Sequence, residues 1–186
     1  MMQNKTVLTD DFGRTHNYLR ISLIEKCNLR CTYCMPADGI LLSPKSSLMT
    51  ANEIYEIAKT FVNHGVDKIR LTGGEPLLRK DFPEILAQLS SLNAEISITT
   101  NGILINRHLA ILKQCNVRKI NLSLDTLVAS KFKTITLRNQ FESVIDHLHL
   151  LLNNDFYVKI NVVLIKRFND NEINDFIKLT KYLPVS

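Results

Sequence analysis

Residues 18–34 read YLRISLIEKCNLRCTYC, and this stretch sets both the architecture and the chemistry of the chain. Its first seven residues are branched and apolar in the manner of a strand. Cys27, Cys31 and Cys34 follow at C-x-x-x-C-x-x-C spacing. A strand that runs directly into a ligand-bearing loop is the opening of a β/α unit, because α/β folds collect ligands at the C-terminal ends of their strands. Three thiolates can wrap one metal centre but leave it a ligand short of a closed four-coordinate site. Iron–sulfur clusters are usually held by four cysteines, so a three-cysteine cradle leaves one iron open to substrate or cofactor. The alternative is a structural zinc knuckle with a distant fourth ligand. Zinc motifs favour paired cysteines followed by a second Cys or His pair at a set distance. The next cysteine, Cys115, stands alone in a segment that reads as helical, and the spacing favours the cluster.

Outward from that loop, strand-like and helix-like stretches alternate. Thr50 is a natural N-cap for a helix over 50–64, with Glu53 placed as in a capping box and Gly65 as its stop. A short strand at 67–71 runs into the turn Gly73-Gly74, and a helix over 82–91 carries Pro83 in its first turn. Strands are expected at 95–99, 119–124 and 157–165, and helices around 106–114, 140–153 and 171–182. Five β/α units without a hairpin signal predict an α/β fold with a parallel sheet and right-handed crossovers. The cysteine loop, 72–76 (TGGEP), 99–102 (TTNG) and 123–125 (SLD) then share one edge of the sheet. In TGGEP two glycines let a ligand approach the backbone closely, and Glu75 adds a carboxylate acceptor. On that edge the loop is a candidate clamp for an amine-bearing ligand.

Composition bounds the rest. With 186 residues, 45% hydrophobic and 22% charged, the chain fits one globular domain. No stretch approaches the roughly 20 apolar residues of a membrane span, and the polar start lacks a signal-peptide core, so a cytoplasmic protein is expected. A reducing compartment also suits unpaired thiols. The net charge of +5 is scattered without the basic stripe of a nucleic-acid binder, and a small anionic ligand accounts for it equally well. The run Leu78-Arg79-Lys80 reads as a solvated face. Cys115 reads as a core thiol, and the five histidines show no metal spacing with one another or with the cysteines.

CNLRCTYC, with Tyr33 before its last cysteine, followed by TGGEP, resembles the radical S-adenosylmethionine (SAM) enzymes. The resemblance implies a 4Fe–4S cluster on Cys27, Cys31 and Cys34, whose open iron takes the amino and carboxylate groups of SAM. It also implies a 5′-deoxyadenosyl radical as hydrogen abstractor, and a partial (β/α) TIM-like barrel around the site. The match narrows further. Phe12-Gly13-Arg14, Leu19-Arg20-Ile21-Ser22, Cys34-Met35-Pro36, the run IRLTGGEPLLR from Ile69, TTNG, NLSLD from Asn121 and VKINVV from Val158 are similar to the GTP 3′,8-cyclase family of molybdenum-cofactor biosynthesis, in that family's order.

Carried over residue by residue, Tyr33, Gly74 and Ser123 match SAM-contacting positions, and Arg20, Arg70, Thr99 and Lys159 match GTP-contacting positions. A triphosphate needs such a set of cations. Arg20 and Lys159 alternate with apolar residues and are expected to face a barrel interior. The resemblance divides the chain into a lead-in over 1–17 and a radical SAM core over 18–186. It implies GTP as substrate, an electron donor for the cluster, and neither membrane nor nucleic acid as partner. The family continues past the length seen here. The expectation is therefore a barrel that stops after about five units and lacks the second cluster's cysteines. The fifth strand would be an unpaired edge, inviting a complementing C-terminal segment or self-association, and the chain alone would not cyclise GTP. Rival readings are another radical SAM enzyme, such as a peptide-modifying one, and a non-catalytic metal-binding remnant.

Overall fold

Strict alternation of side chains builds the sheet. In the computed structural model, which describes residues 7–36 and 38–186, five strands lie parallel in the order of the sequence. They are β1 (Tyr18–Ser22), β2 (Lys68–Thr72), β3 (Glu95–Thr100), β4 (Lys119–Ser123) and β5 (Tyr157–Asn161). The first six residues of the expected lead-in lie outside the described residues. Ile21, Ile69, Leu71, Ile98, Ile120, Leu122 and Val158 are buried on one face of the sheet. They pack against α1 (Ala51–Asn63), α2 (Phe82–Leu89), α3 (Ile105–Gln114) and α5 (Phe141–Leu152), whose own apolar stripes complete the core. The other face carries Arg20, Arg70, Ser97, Asn121 and Lys159 and has no helix layer, so it stays polar. The result is the expected α/β partial barrel, an open sheet with β1 and β5 at its margins. No helix among the described residues is long and apolar enough to cross a membrane.

Most elements follow from local signals. Thr50 caps α1 with a complete capping box, its hydroxyl taking the Glu53 N–H while the Glu53 carboxylate takes the Thr50 N–H at 2.7 Å. Gly65 then turns the chain at φ +97°. One helix has no such signal: α4 (Ala129–Thr136) lies between β4 and α5, so the fourth unit carries two helices where one is expected. Its sequence ASKFKTIT is rich in poor helix formers. Its N-cap Val128 contributes no side-chain bond, and it ends on Leu137 at φ +54° instead of on a glycine. Tertiary packing of Phe132 and Ile135, both 2% exposed, holds it in place of propensity.

Further expectations are corrected. The outer edge of β5 is not bare. Val185 bridges Val158 in parallel, the Ile160 N–H donates to the Ser186 carbonyl at 2.8 Å, and the Ser186 N–H donates to the Val158 carbonyl at 3.1 Å. Nor is Arg79 on a solvated face. It is buried, and its guanidinium donates to the Leu23 carbonyl at 2.8 Å, to the Met49 carbonyl, and to both oxygens of Asp81 at 2.7 and 3.0 Å. A fork of fixed donors is what three converging loops need, and the interior accepts the charge because every donor group meets an oxygen.

Glu75 performs the matching task with the opposite charge. Its carboxylate is fully buried and accepts from the Leu77 N–H at 3.0 Å, the Thr100 hydroxyl at 2.8 Å and the Asn101 N–H at 2.8 Å. It therefore ties the turn after β2 to the end of β3, and does not project toward a ligand as the amine-clamp reading expected. Burial raises its pKa from 4.5 to about 7, against the three donors that favour the anion. Across that window, from 4.5 to about 7, the folded chain keeps a proton that the unfolded chain has released. Stability therefore falls as pH rises through it and levels off above. The full effect is on the order of 3 kcal/mol. Denaturant midpoints of the metal-free chain should decline across this window, and Glu75→Gln should flatten the decline. An unchanged slope in the variant would assign the titration to another group.

Candidate functional site

The cysteine loop is shaped by backbone bonds to the unforeseen helix. The Arg30 N–H donates to the Thr136 carbonyl and the Thr32 N–H to the Ile135 carbonyl, both at 2.9 Å, which docks the loop on the end of α4. Leu29, 4% exposed, inserts into the core between the first two cysteines. The Cys34 and Met35 N–H groups both turn back to the Cys31 carbonyl, at 2.8 and 2.9 Å. Opposite stands the glycine turn. The Gly74 N–H donates to the Ile24 carbonyl at 2.6 Å and the Glu75 N–H to the Lys26 carbonyl at 2.9 Å. Gly73 sits at φ +144°, and a Cβ on either glycine would overlap the carbonyls of residues 24–26. No other residue type fits there without moving the cysteine loop.

Between these walls lies a cavity of about 170 Å³. Cys27, Cys31 and Cys34 line it together with Tyr33, Gly74, Thr99 and Ser123. All three cluster positions and all three SAM-matched positions thus meet at one cavity. Tyr33 is fixed there by its hydroxyl, which donates to Asp125 Oδ2 at 2.5 Å, while Asp125 Oδ1 accepts the Val163 N–H at 2.8 Å. Burial pushes the Tyr33 hydroxyl up, and its hydrogen bond to the Asp125 carboxylate adds to that. Burial likewise pushes the Cys31 thiol up to about 11, with the Asp125 carboxylate and the other two thiols adding to it. The Cys27 thiol is also raised by burial, against a lowering from the Leu29 N–H, which donates to its Sγ at 3.4 Å. These sulfurs ionise readily only beside positive charge, which bound iron supplies. Among the described residues, no three His, Cys, Asp or Glu side chains converge closely enough to hold a single metal ion. The three thiols rim one cavity, and their chemistry fits the ligation of an iron–sulfur cluster there.

A second cavity of about 540 Å³ opens on the polar face of the sheet, and Arg70 and Lys159 both line it. The four GTP-matched positions do not all meet there. Thr99 lines the cysteine cavity, and Arg20 is exposed outside both. Arg20 is nevertheless in register with Arg70, so two guanidinium groups stand side by side on neighbouring strands. Thr99, Asn121 and Lys159 form a second row across β3, β4 and β5. Arg70 lies over the Tyr18 ring at 5.3 Å and donates weakly to Ser97 Oγ at 3.4 Å. Glu95 in the same cavity is taken by Lys119 at 2.6 Å. Among the described residues no carboxylate pairs with Arg20, Arg70 or Lys159.

Sequence reasoning quotes Asn101 and Asp125 only as members of motifs, yet both line the cysteine cavity. Their position on loops that close β3 and β4 was the available signal.

Comparison with known proteins agrees with this geometry. Molybdenum cofactor biosynthesis protein 1 of Drosophila melanogaster is 48% identical over 187 residues, covering all of this chain and 33% of that protein. The mitochondrial GTP 3′,8-cyclase of Arabidopsis thaliana is 48% identical, covering 97% of this chain and 47% of that protein. The chain thus spans about a third to a half of the length of these curated relatives. Among solved structures, Streptococcus suis SuiB bound to precursor peptide SuiA superposes with a TM-score of 0.72 at 23% identity, over 87% of this chain and 36% of that one, a likeness of fold. Residues 21–180 match the radical SAM superfamily. The chain belongs to that superfamily, whose membership implies a 4Fe–4S cluster and SAM.

Proposed function

We propose that this chain forms the cluster- and SAM-binding part of a GTP 3′,8-cyclase. That enzyme converts GTP to (8S)-3′,8-cyclo-7,8-dihydroguanosine 5′-triphosphate in molybdenum-cofactor biosynthesis. The observation that carries the reading is the presence of two separately lined cavities on one sheet. One is rimmed by three thiols, the other by unpaired cations. Its support from relatives is the identity to a named GTP 3′,8-cyclase over nearly the whole chain.

In this reading Cys27, Cys31 and Cys34 hold one cluster, and Tyr33, Gly74 and Ser123 contact SAM. Bound together, cluster and SAM supply a 5′-deoxyadenosyl radical that takes hydrogen from the substrate. The chain's own residues orient the partners. The glycine turn offers carbonyl oxygens to the SAM ammonium, and Tyr33, held by Asp125, walls the adenosine side. Thr99 lines the cysteine cavity, paired in register with Asn121 of the second cavity, and from there contacts the nucleotide. Arg20, Arg70 and Lys159 take the triphosphate. Adjacent like charges on neighbouring strands repel, and an anion between them removes that cost. Such a cluster would need an external electron donor, and a reducing cytoplasm, where free thiols persist, would suit it.

Anaerobic reconstitution with iron and sulfide tests the cluster. Wild type and Cys115→Ala should both turn brown with about four irons per chain. Any of Cys27→Ala, Cys31→Ala or Cys34→Ala should lose the visible absorbance. A full cluster in Cys31→Ala, or stoichiometric zinc in place of iron, would overturn the assignment.

The anion site is tested by calorimetric titration with GTP. Each charge-assisted contact contributes on the order of 1.5–3 kcal/mol, so Lys159→Ala and Arg70→Ala should each weaken binding roughly ten- to a hundredfold. The effect should shrink at high salt. A Lys159→Ala chain that binds GTP as tightly as wild type would move the substrate site elsewhere.

A further inference from the structure

Asn101 stands at the end of β3 and is 7% exposed. Its backbone N–H is held by Glu75 at 2.8 Å, and its side-chain oxygen accepts the Ile103 N–H at 3.1 Å. Since that oxygen faces a backbone donor, the carboxamide cannot be flipped. Its nitrogen then has two hydrogens to place. One goes to Asn28 Oδ1 at 2.7 Å, and the other faces Cys27 Sγ, with the nitrogen 3.7 Å from the sulfur. Every polar group of the Asn101 side chain is thus committed. The only one aimed at a cluster position is an N–H donor. The planar amide is locked from three sides, more constraint than a space-filling residue requires.

We infer that Asn101 is a positioning residue that sets the reduction potential of the cluster through an N–H···S bond to the Cys27 thiolate. The inference rests on the assignment of Cys27, Cys31 and Cys34 as cluster ligands and adds to it a residue that none of the sequence motifs marks for this task. Hydrogen bonds to the cysteine sulfurs are among the levers that tune such clusters. Reduction adds one electron to a centre that is already anionic. A donor at the thiolate stabilises the reduced form more than the oxidised one and raises the potential. The second donor to the same sulfur, the Leu29 N–H at 3.4 Å, belongs to the backbone and survives substitution at position 101.

The test is an anaerobic redox titration of reconstituted protein without SAM, followed by electron paramagnetic resonance of the reduced cluster. Wild type is compared with Asn101→Asp, which keeps the shape and the acceptor for Ile103 but presents an oxygen to the sulfur, and with Asn101→Ser, which removes the donor. Both variants should hold iron like wild type and titrate at a more negative potential, Asn101→Asp the more so. Equal potentials in all three proteins would overturn the inference while leaving the cluster assignment intact. Loss of the cluster from both variants would also overturn it, because Asn101 would then build the loop instead of tuning the metal. A wild-type chain that assembles no cluster would instead refute the cluster assignment itself.

Discussion

The close approach of two backbones governs this structure. The turn at Gly73 and Gly74 lies so near the carbonyls of residues 24–26 that a single Cβ would force them apart. Three N–H donors knit the two segments: Leu23 to the Thr72 carbonyl at 2.8 Å, Gly74 to Ile24 and Glu75 to Lys26. The cysteine loop therefore starts from a fixed base and does not swing from the end of β1. The absence of side chains on the glycine turn is thus a requirement of the fold that fixes one wall of the cysteine cavity.

Around this contact the two faces of the sheet behave as different solvents. Ile69, Leu71 and Ile98 are fully buried under helices and exclude water. One residue along each strand the environment reverses, and guanidinium and ammonium groups share a cavity wide enough to stay hydrated. A parallel sheet covered on both faces would read as continuous apolar runs. The alternation of YLRIS and YVKIN instead marks a sheet whose second face is polar.

Much of this was legible before any coordinates. The period-two strands and the capping box at Thr50 each express a local rule, and each element formed near where the rule put it, although the last strand stops at Asn161, four residues short of the expected 165. What the sequence hid depended on distant partners. Arg79 looks like part of a charged surface run until Leu23 and Met49 arrive as acceptors from other loops. Glu75 looks like a ligand clamp until Thr100 and Asn101 turn it inward. Helix α4 has weak propensity and no cap, and only its packing and its grip on Arg30 and Thr32 reveal it. The cationic set was legible in kind but not in grouping. Register put Arg20 beside Arg70, while the shape of the open sheet divided the four matched positions between two cavities and the solvent.

The guanidinium of Arg79 also links motions that the chain order would leave separate. It binds the end of β1, the approach to α1 and the start of α2 at once, and it keeps the Asp81 carboxyl below its ordinary range through their hydrogen bonds. None of these loops can lift away without breaking the same charged centre, so their backbone amides belong to one cooperative unit of local unfolding. Hydrogen exchange at Leu23 and across the glycine turn is then governed by a shared opening event, and the floor of the cysteine cavity breathes as a piece or not at all.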